Sequence, residues 1–79
     1  PPIKWKTLYI TGGRRDKISK GDIAGLFLKQ GQINKDQLGI IEVKQDSTYV
    51  AVHEEIADLV IERTNNNKLK TKKVRVSGI

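Results

Sequence analysis

Tyr9, Tyr49, Lys73 and Arg75 are the residues of this 79-residue chain whose types and spacing suit a definite chemistry. Each tyrosine sits inside an alternating run, and two rings flanked by cations meet the needs of a stacked base and its phosphate. Stacking on such a ring is worth roughly 1–3 kcal/mol, and each phosphate neutralised on a single strand adds a salt-dependent term with a slope of about −0.7. A second cationic group, Arg14, Arg15 and Lys17, follows Gly12-Gly13 and precedes a helix start, where free backbone N–H groups add anion affinity. Lys72 extends the third group, Lys73 and Arg75. Each has a plainer alternative: a solvated loop for the arginines, cross-strand filler for the tyrosines, an edge strand charged against aggregation for Lys72 to Arg75. Trp5, just outside the first strand, suits closing the end of the core as well as stacking.

Other chemistries lack their residues. With no cysteine there is no disulfide, thiol nucleophile or Cys-type zinc site, and the lone His53 forms no cluster. No cofactor, metal or catalytic group is expected. No apolar run approaches the length of a membrane span, and no n-region followed by an h-region opens the chain, so a cytoplasmic protein is the expectation. Pro1-Pro2 and the absence of methionine suggest a domain joined to a longer chain, with residues 1–5 the end of a stiff linker and residues 6–79 one domain.

The net charge of +6 is unevenly placed. Residues 1–20 carry six cations against Asp16, and residues 68–79 carry Lys68, Lys70, Lys72, Lys73 and Arg75 with no acid. The stretch between is acidic.

The elements that must position these groups follow from periodicity. Leu8 and Ile10 alternate with Thr7, Tyr9 and Thr11, predicting a half-buried strand over residues 6–11 that stops at Gly12-Gly13. Ser19 and Asp22 form a Ser-x-x-Asp capping box with Ile18 and Ile23 at the staple positions, and Ile23, Leu26 and Phe27 continue a helical stripe to a stop at Gly31. Gly21 and Gly25 are expected to allow close approach of helix to sheet. Residues 39–44 and 47–53 read as a hairpin turning at Gln45-Asp46, with Ile41, Val43, Thr48, Val50 and Val52 inward. A second helix over residues 55–64 places Ile56, Leu59, Val60 and Arg63 at helical spacing, and Asn65 to Asn67 form a turn. A last strand, residues 72–77, turns Val74 and Val76 inward and Lys73, Arg75 and Ser77 outward.

The order βαββαβ predicts an α+β, ferredoxin-like fold of the RRM type: a four-stranded antiparallel sheet with both helices on one face. In that arrangement the first and last strands are neighbours, so two basic chain ends become one positive patch beside the tyrosines.

Leu8-Tyr9-Ile10-Thr11-Gly12-Gly13 resembles the RNP2 signature of RRM domains, with Tyr9 at the stacking position. Thr48-Tyr49-Val50-Ala51-Val52 resembles the second half of RNP1, although Gln45-Asp46 and Ser47 replace its usual opening. More specifically, Gly13-Arg14-Arg15-Asp16-Lys17-Ile18, Lys20-Gly21-Asp22-Ile23-Ala24-Gly25, Leu38-Gly39-Ile40-Ile41-Glu42-Val43 and Leu69-Lys70-Thr71-Lys72-Lys73-Val74-Arg75-Val76 resemble, in order and spacing, the DbpA-like C-terminal domain of bacterial DEAD-box helicases. The resemblance implies a monomeric RNA-binding module that anchors an ATP-driven helicase core of the same chain to structured RNA, in some members ribosomal RNA.

Two rivals come from other classes. Acylphosphatase-like enzymes also place a Gly-rich, Arg-bearing loop after the first strand, but no Asn stands on the second strand to orient a water and no base or nucleophile constellation is evident. A protein-interaction module using the bare sheet face is the other.

Overall fold

The computed structural model describes residues 2–79, and in it the first alternating run forms strand β1 (Trp5–Thr11). The strand starts one residue earlier than the alternation predicts, because Trp5 pairs across the sheet with His53. Helix α1 (Lys20–Lys29) opens on the expected capping box: Ser19 Oγ accepts from the Asp22 N–H at 3.3 Å, and Asp22 Oδ2 accepts from the Ser19 N–H at 3.0 Å. Ile18 and Ile23 are both buried beside it.

The end of α1 differs from expectation. Gln32, not Gly31, takes the left-handed conformation, at φ 55°. Gly31 is required for another reason: a Cβ there would collide with the Phe27 carbonyl. Gly21 and Gly25 are not close-approach positions, since a Cβ at Gly25 would meet nothing within 4 Å and one at Gly21 only Ser19 Oγ at 3.7 Å.

Strands β2 (Leu38–Val43) and β3 (Ser47–His53) form the expected hairpin. Leu38 pairs with Val52 and Ile41 with Val50, so Gly39-Ile40 oppose one residue of β3 and form a bulge. The bulge keeps Leu38 and Ile41 on the same face and leaves Ile40 outside, 77% exposed. Helix α2 is shorter than predicted, spanning Ala57–Thr64 after a 3-10 turn at Glu54–Ile56. Its buried stripe is Ala57, Val60 and Thr64, and Leu59 faces outward.

The largest departure is at the chain end. The run predicted as one strand is divided: Lys72–Lys73 (β5) pairs with Lys68–Leu69 (β4) in a separate two-stranded hairpin, and only Val76–Gly78 (β6) joins the main sheet. The asparagine run anchors this division rather than merely turning. Asn65 Oδ1 accepts from the Val76 N–H, Asn66 donates to the Val74 carbonyl, and the Asn67 carbonyl accepts from the Val74 N–H.

The main sheet has the order β2-β3-β1-β6, all antiparallel, as the ferredoxin-like prediction requires. Leu8, Ile10, Val50, Val52 and Val76 on the covered face pack with Ile23, Phe27 and Val60 from the two helices. Two buried threonines have partners, Thr48 Oγ1 donating to the Gly12 carbonyl and Thr64 Oγ1 to the Val60 carbonyl, each at 2.7 Å. Among the described residues, no helix is long and apolar enough to cross a membrane.

Candidate nucleic-acid interface

The basic loop after β1 is built against the β2–β3 turn. Gly12 has φ 142°, a value only glycine adopts freely, and a Cβ there would stand 2.8 Å from Ile18 Cδ1. At Gly13 the limit is proximity, since a Cβ would collide with the Lys44 carbonyl. The chain then hydrogen-bonds along that turn: Gly12, Arg14 and Arg15 N–H groups donate to the carbonyls of Asp46, Lys44 and Gln45 at 3.2, 2.9 and 3.0 Å. The Arg14–Asp16 segment is a 3-10 turn, closed by Lys17 at φ 63°.

Every amide from Gly12 to Ile18 has a partner inside the protein. Gly13 donates to Asp16 Oδ2, Asp16 and Ile18 donate to the Gly13 carbonyl, and Lys17 donates to the Arg14 carbonyl. The loop itself therefore offers no cradle of free N–H groups after Gly12-Gly13, such as an acylphosphatase-like enzyme would use to hold a phosphate. What it offers is side chains. Arg14, Arg15 and Lys17 are exposed, and Arg15 Nε pairs with Asp46 Oδ1 at 3.2 Å.

The cations of the chain end stand at the same end of the sheet. Arg75 lies opposite Thr11, donating its N–H to Thr11 Oγ1 at 2.8 Å and accepting from the Thr11 N–H at 3.0 Å. Lys72 lies against Gly12, its Cδ 3.5 Å from where a Cβ would be. Lys70, in the β4–β5 turn, reaches Asp22 Oδ1 at 3.6 Å. Between this turn and the Arg14–Asp16 turn lies a groove of about 380 Å³ lined by Arg15, Asp16, Lys17, Lys70 and Thr71.

The bare sheet face differs from the predicted one. Tyr9 and Tyr49 face each other across β1 and β3 with ring centroids 5.6 Å apart and planes at 63°, an edge-to-face pair. Their lateral neighbours are Ser77 and Glu42, and Glu42 is paired with Lys44 at 3.1 Å. Lys72 and Lys73 have left the sheet for their own hairpin, so they do not flank the rings as expected. Arg75 alone of that group shares the tyrosines' face, diagonal to Tyr9, a spacing of roughly 7–8 Å. Further along, Trp5 packs edge-to-face on His53 at 4.7 Å, over Gly39, where a Cβ would stand 2.9 Å from the indole.

Lys68 and Lys70 were counted in the basic chain end but not singled out as contacts, and Asp22 and Asp46 were not legible as members of this surface. The Lys-x-Lys-x-Lys-Lys spacing of residues 68–73 carried the signal, but the alternation of Val74 and Val76 masked the break before them. The Ser19 backbone N–H holds the Asp22 carboxyl below the usual carboxylate range, opposed by desolvation and aided by the Ser19 hydroxyl and Lys70.

A ferredoxin-like sheet with cations gathered at one end defines a small α+β domain suited to a polyanionic partner. The family model for the DbpA RNA binding domain matches residues 7–77, and the chain belongs to that family. It is 29% identical over 70 residues to the ATP-dependent RNA helicase DbpA of Bacillus subtilis (strain 168), a match covering 89% of this chain and 15% of that protein.

Proposed function

We infer that this chain is the RNA-binding module of an ATP-dependent RNA helicase, working in the cytoplasm, and that it anchors the helicase core to structured RNA of the ribosomal class. The supporting observation is the convergence of the two basic chain ends. The β1–β6 pairing puts Arg75 beside Thr11, immediately before the loop that carries Arg14, Arg15 and Lys17. Among the described residues, Arg14, Lys17, Lys72, Lys73 and Arg75 have no carboxylate within ion-pair distance. They would contact phosphates, while Tyr9 and Tyr49 would receive an unstacked base next to Arg75.

Titration of the chain with a labelled RNA stem-loop at several salt concentrations tests this. Affinity should fall steeply as salt rises, and changing Arg14 and Arg15 together to Ala should lower the salt slope by about 2. RNA binding with an unchanged slope in that double variant would remove the loop from the interface.

A second reading rests on the opposite end of the bare face, where Trp5 is 48% and Ile40 77% exposed and Ile40 borders a shallow hollow lined by Thr7, Glu42, Tyr49, Val50 and Ala51. Such a surface suits a polypeptide better than a phosphate backbone. Binding of a protein partner that persists at high salt and is lost in Trp5→Ala would favour it.

A further inference from the structure

The β4–β5 hairpin holds an arrangement that folding alone disfavours. Lys68 and Lys73 are direct cross-strand partners, both exposed, and among the described residues neither has a carboxylate within ion-pair distance. Directly opposed residues on one face of an antiparallel pair have Cβ atoms about 4.5–5.5 Å apart, and like charges so placed repel. The other cross-strand pair, Leu69 and Lys72, is partly buried: Leu69 packs against the core and the Lys72 stem lies against Gly12. The hairpin is thus fixed by one face and presents two opposed ammonium groups on the other.

We propose that this hairpin is a clamp for the RNA sugar–phosphate backbone, with Lys68 and Lys73 gripping one phosphodiester and Lys70 holding the next across the groove from Lys17. The proposal rests on the RNA-binding reading above and deepens it by naming the ligand group and two lysines, Lys68 and Lys70, outside the predicted interface. A phosphate placed between Lys68 and Lys73 replaces one repulsion by two attractions, so the bound hairpin is tighter than the free one. Recognition here is of backbone charge, since the hairpin's outer face carries no aromatic or amide group to read a base. The turn is held in place by Asp22, which reaches Lys70 from the first turn of α1.

Lys68→Glu tests the clamp with two readouts that move in opposite directions. It creates an opposed Glu–Lys pair, so thermal stability of the 79-residue chain should hold or rise. Affinity for an RNA stem-loop should fall about tenfold at low salt, with the salt slope reduced by roughly 1–2. Lys68→Gln should show a smaller loss, and RNA should slow hydrogen exchange of the hairpin amides in the unaltered chain. A fall in stability in Lys68→Glu would refute the opposed-lysine argument. Unchanged affinity and slope in Lys68→Glu, with the Arg14 and Arg15 double variant still impaired, would exclude the hairpin while leaving the RNA-binding reading standing. Absence of RNA binding by the unaltered chain would overturn both.

Discussion

Arg75 and Thr11 exchange two hydrogen bonds, the Arg75 N–H to Thr11 Oγ1 at 2.8 Å and the Thr11 N–H to the Arg75 carbonyl at 3.0 Å. The contact closes the gap between β5 and β6, where the chain has left the sheet for its hairpin and is returning. It also fixes Arg75 on the bare face, two residues along from the row that contains Tyr9. A nucleotide with its phosphate on Arg75 would have its base within reach of the Tyr9 ring.

Tyr9→Ala should therefore weaken binding of single-stranded oligouridylate by roughly 1–3 kcal/mol, the usual worth of one stacked base. Tyr9→Phe should retain most of it, because stacking uses the ring and not the hydroxyl. Fluorescence anisotropy on both variants, with circular dichroism to confirm folding, would decide. Equal affinity for the two would mean that no base rests there.

Gly13→Ala should be costly although the backbone at this residue is extended. The new methyl group must push away the Lys44 carbonyl, which accepts from the Arg14 N–H. Relieving such overpacking typically costs about 1–3 kcal/mol, and the shift would move both arginines. Chemical denaturation should show lowered stability, and RNA titration a reduced salt slope. Retention of both would show that the loop slides freely over the hairpin turn.

Gly25→Ala should have the opposite sign. Position 25 lies within α1, has room for a Cβ and carries no side chain to contact RNA. Replacing glycine by alanine in a helix interior gains roughly 0.5–1 kcal/mol. An increase in denaturation midpoint with unchanged RNA affinity is the expected outcome, and a decrease would point to a packing need not visible in the free space around it.

The acid limb of stability should depend on Asp22. Its carboxyl is held below the usual carboxylate range, chiefly by the Ser19 backbone N–H, so in that interval the folded chain binds fewer protons than the unfolded one. Its stabilising contribution is complete above about pH 4, the unfolded value, and fades as pH falls through the lowered folded value. Asp22→Asn should lower stability at neutral pH and flatten the loss on acidification. A thermal-melt series from pH 6 downward measures both, and parallel curves for the two proteins would remove Asp22 from the acid transition.

The sequence was most informative where one face of an element is buried. The alternation around Leu8, Ile10, Val50 and Val52 and the Ser19–Asp22 capping box determined the main sheet and α1, because burial and capping act over a few residues. It was least informative where distant segments compete for the same backbone groups. The alternation from Lys72 to Ser77 looks continuous, yet Val74 is bonded to Asn66 and Asn67 while Val76 faces Ile10, so the strand divides between two partners. The amides of Gly12, Arg14 and Arg15 were equally hidden, since their acceptors lie some thirty residues away in the β2–β3 turn. Composition indicated which charges exist, and the pairing of β1 with β6 determined which of them meet.

The bulge at Gly39-Ile40 bears on how the molecule behaves in a crowd. β2 is an outer strand of the main sheet, and an uninterrupted outer strand presents a template on which another chain can extend the ladder. The two-against-one register between Leu38 and Ile41 breaks that template near its middle. A single-residue deletion that restored regular pairing would turn the strand into an adhesive margin, and polymerisation of an otherwise folded domain would be its cost.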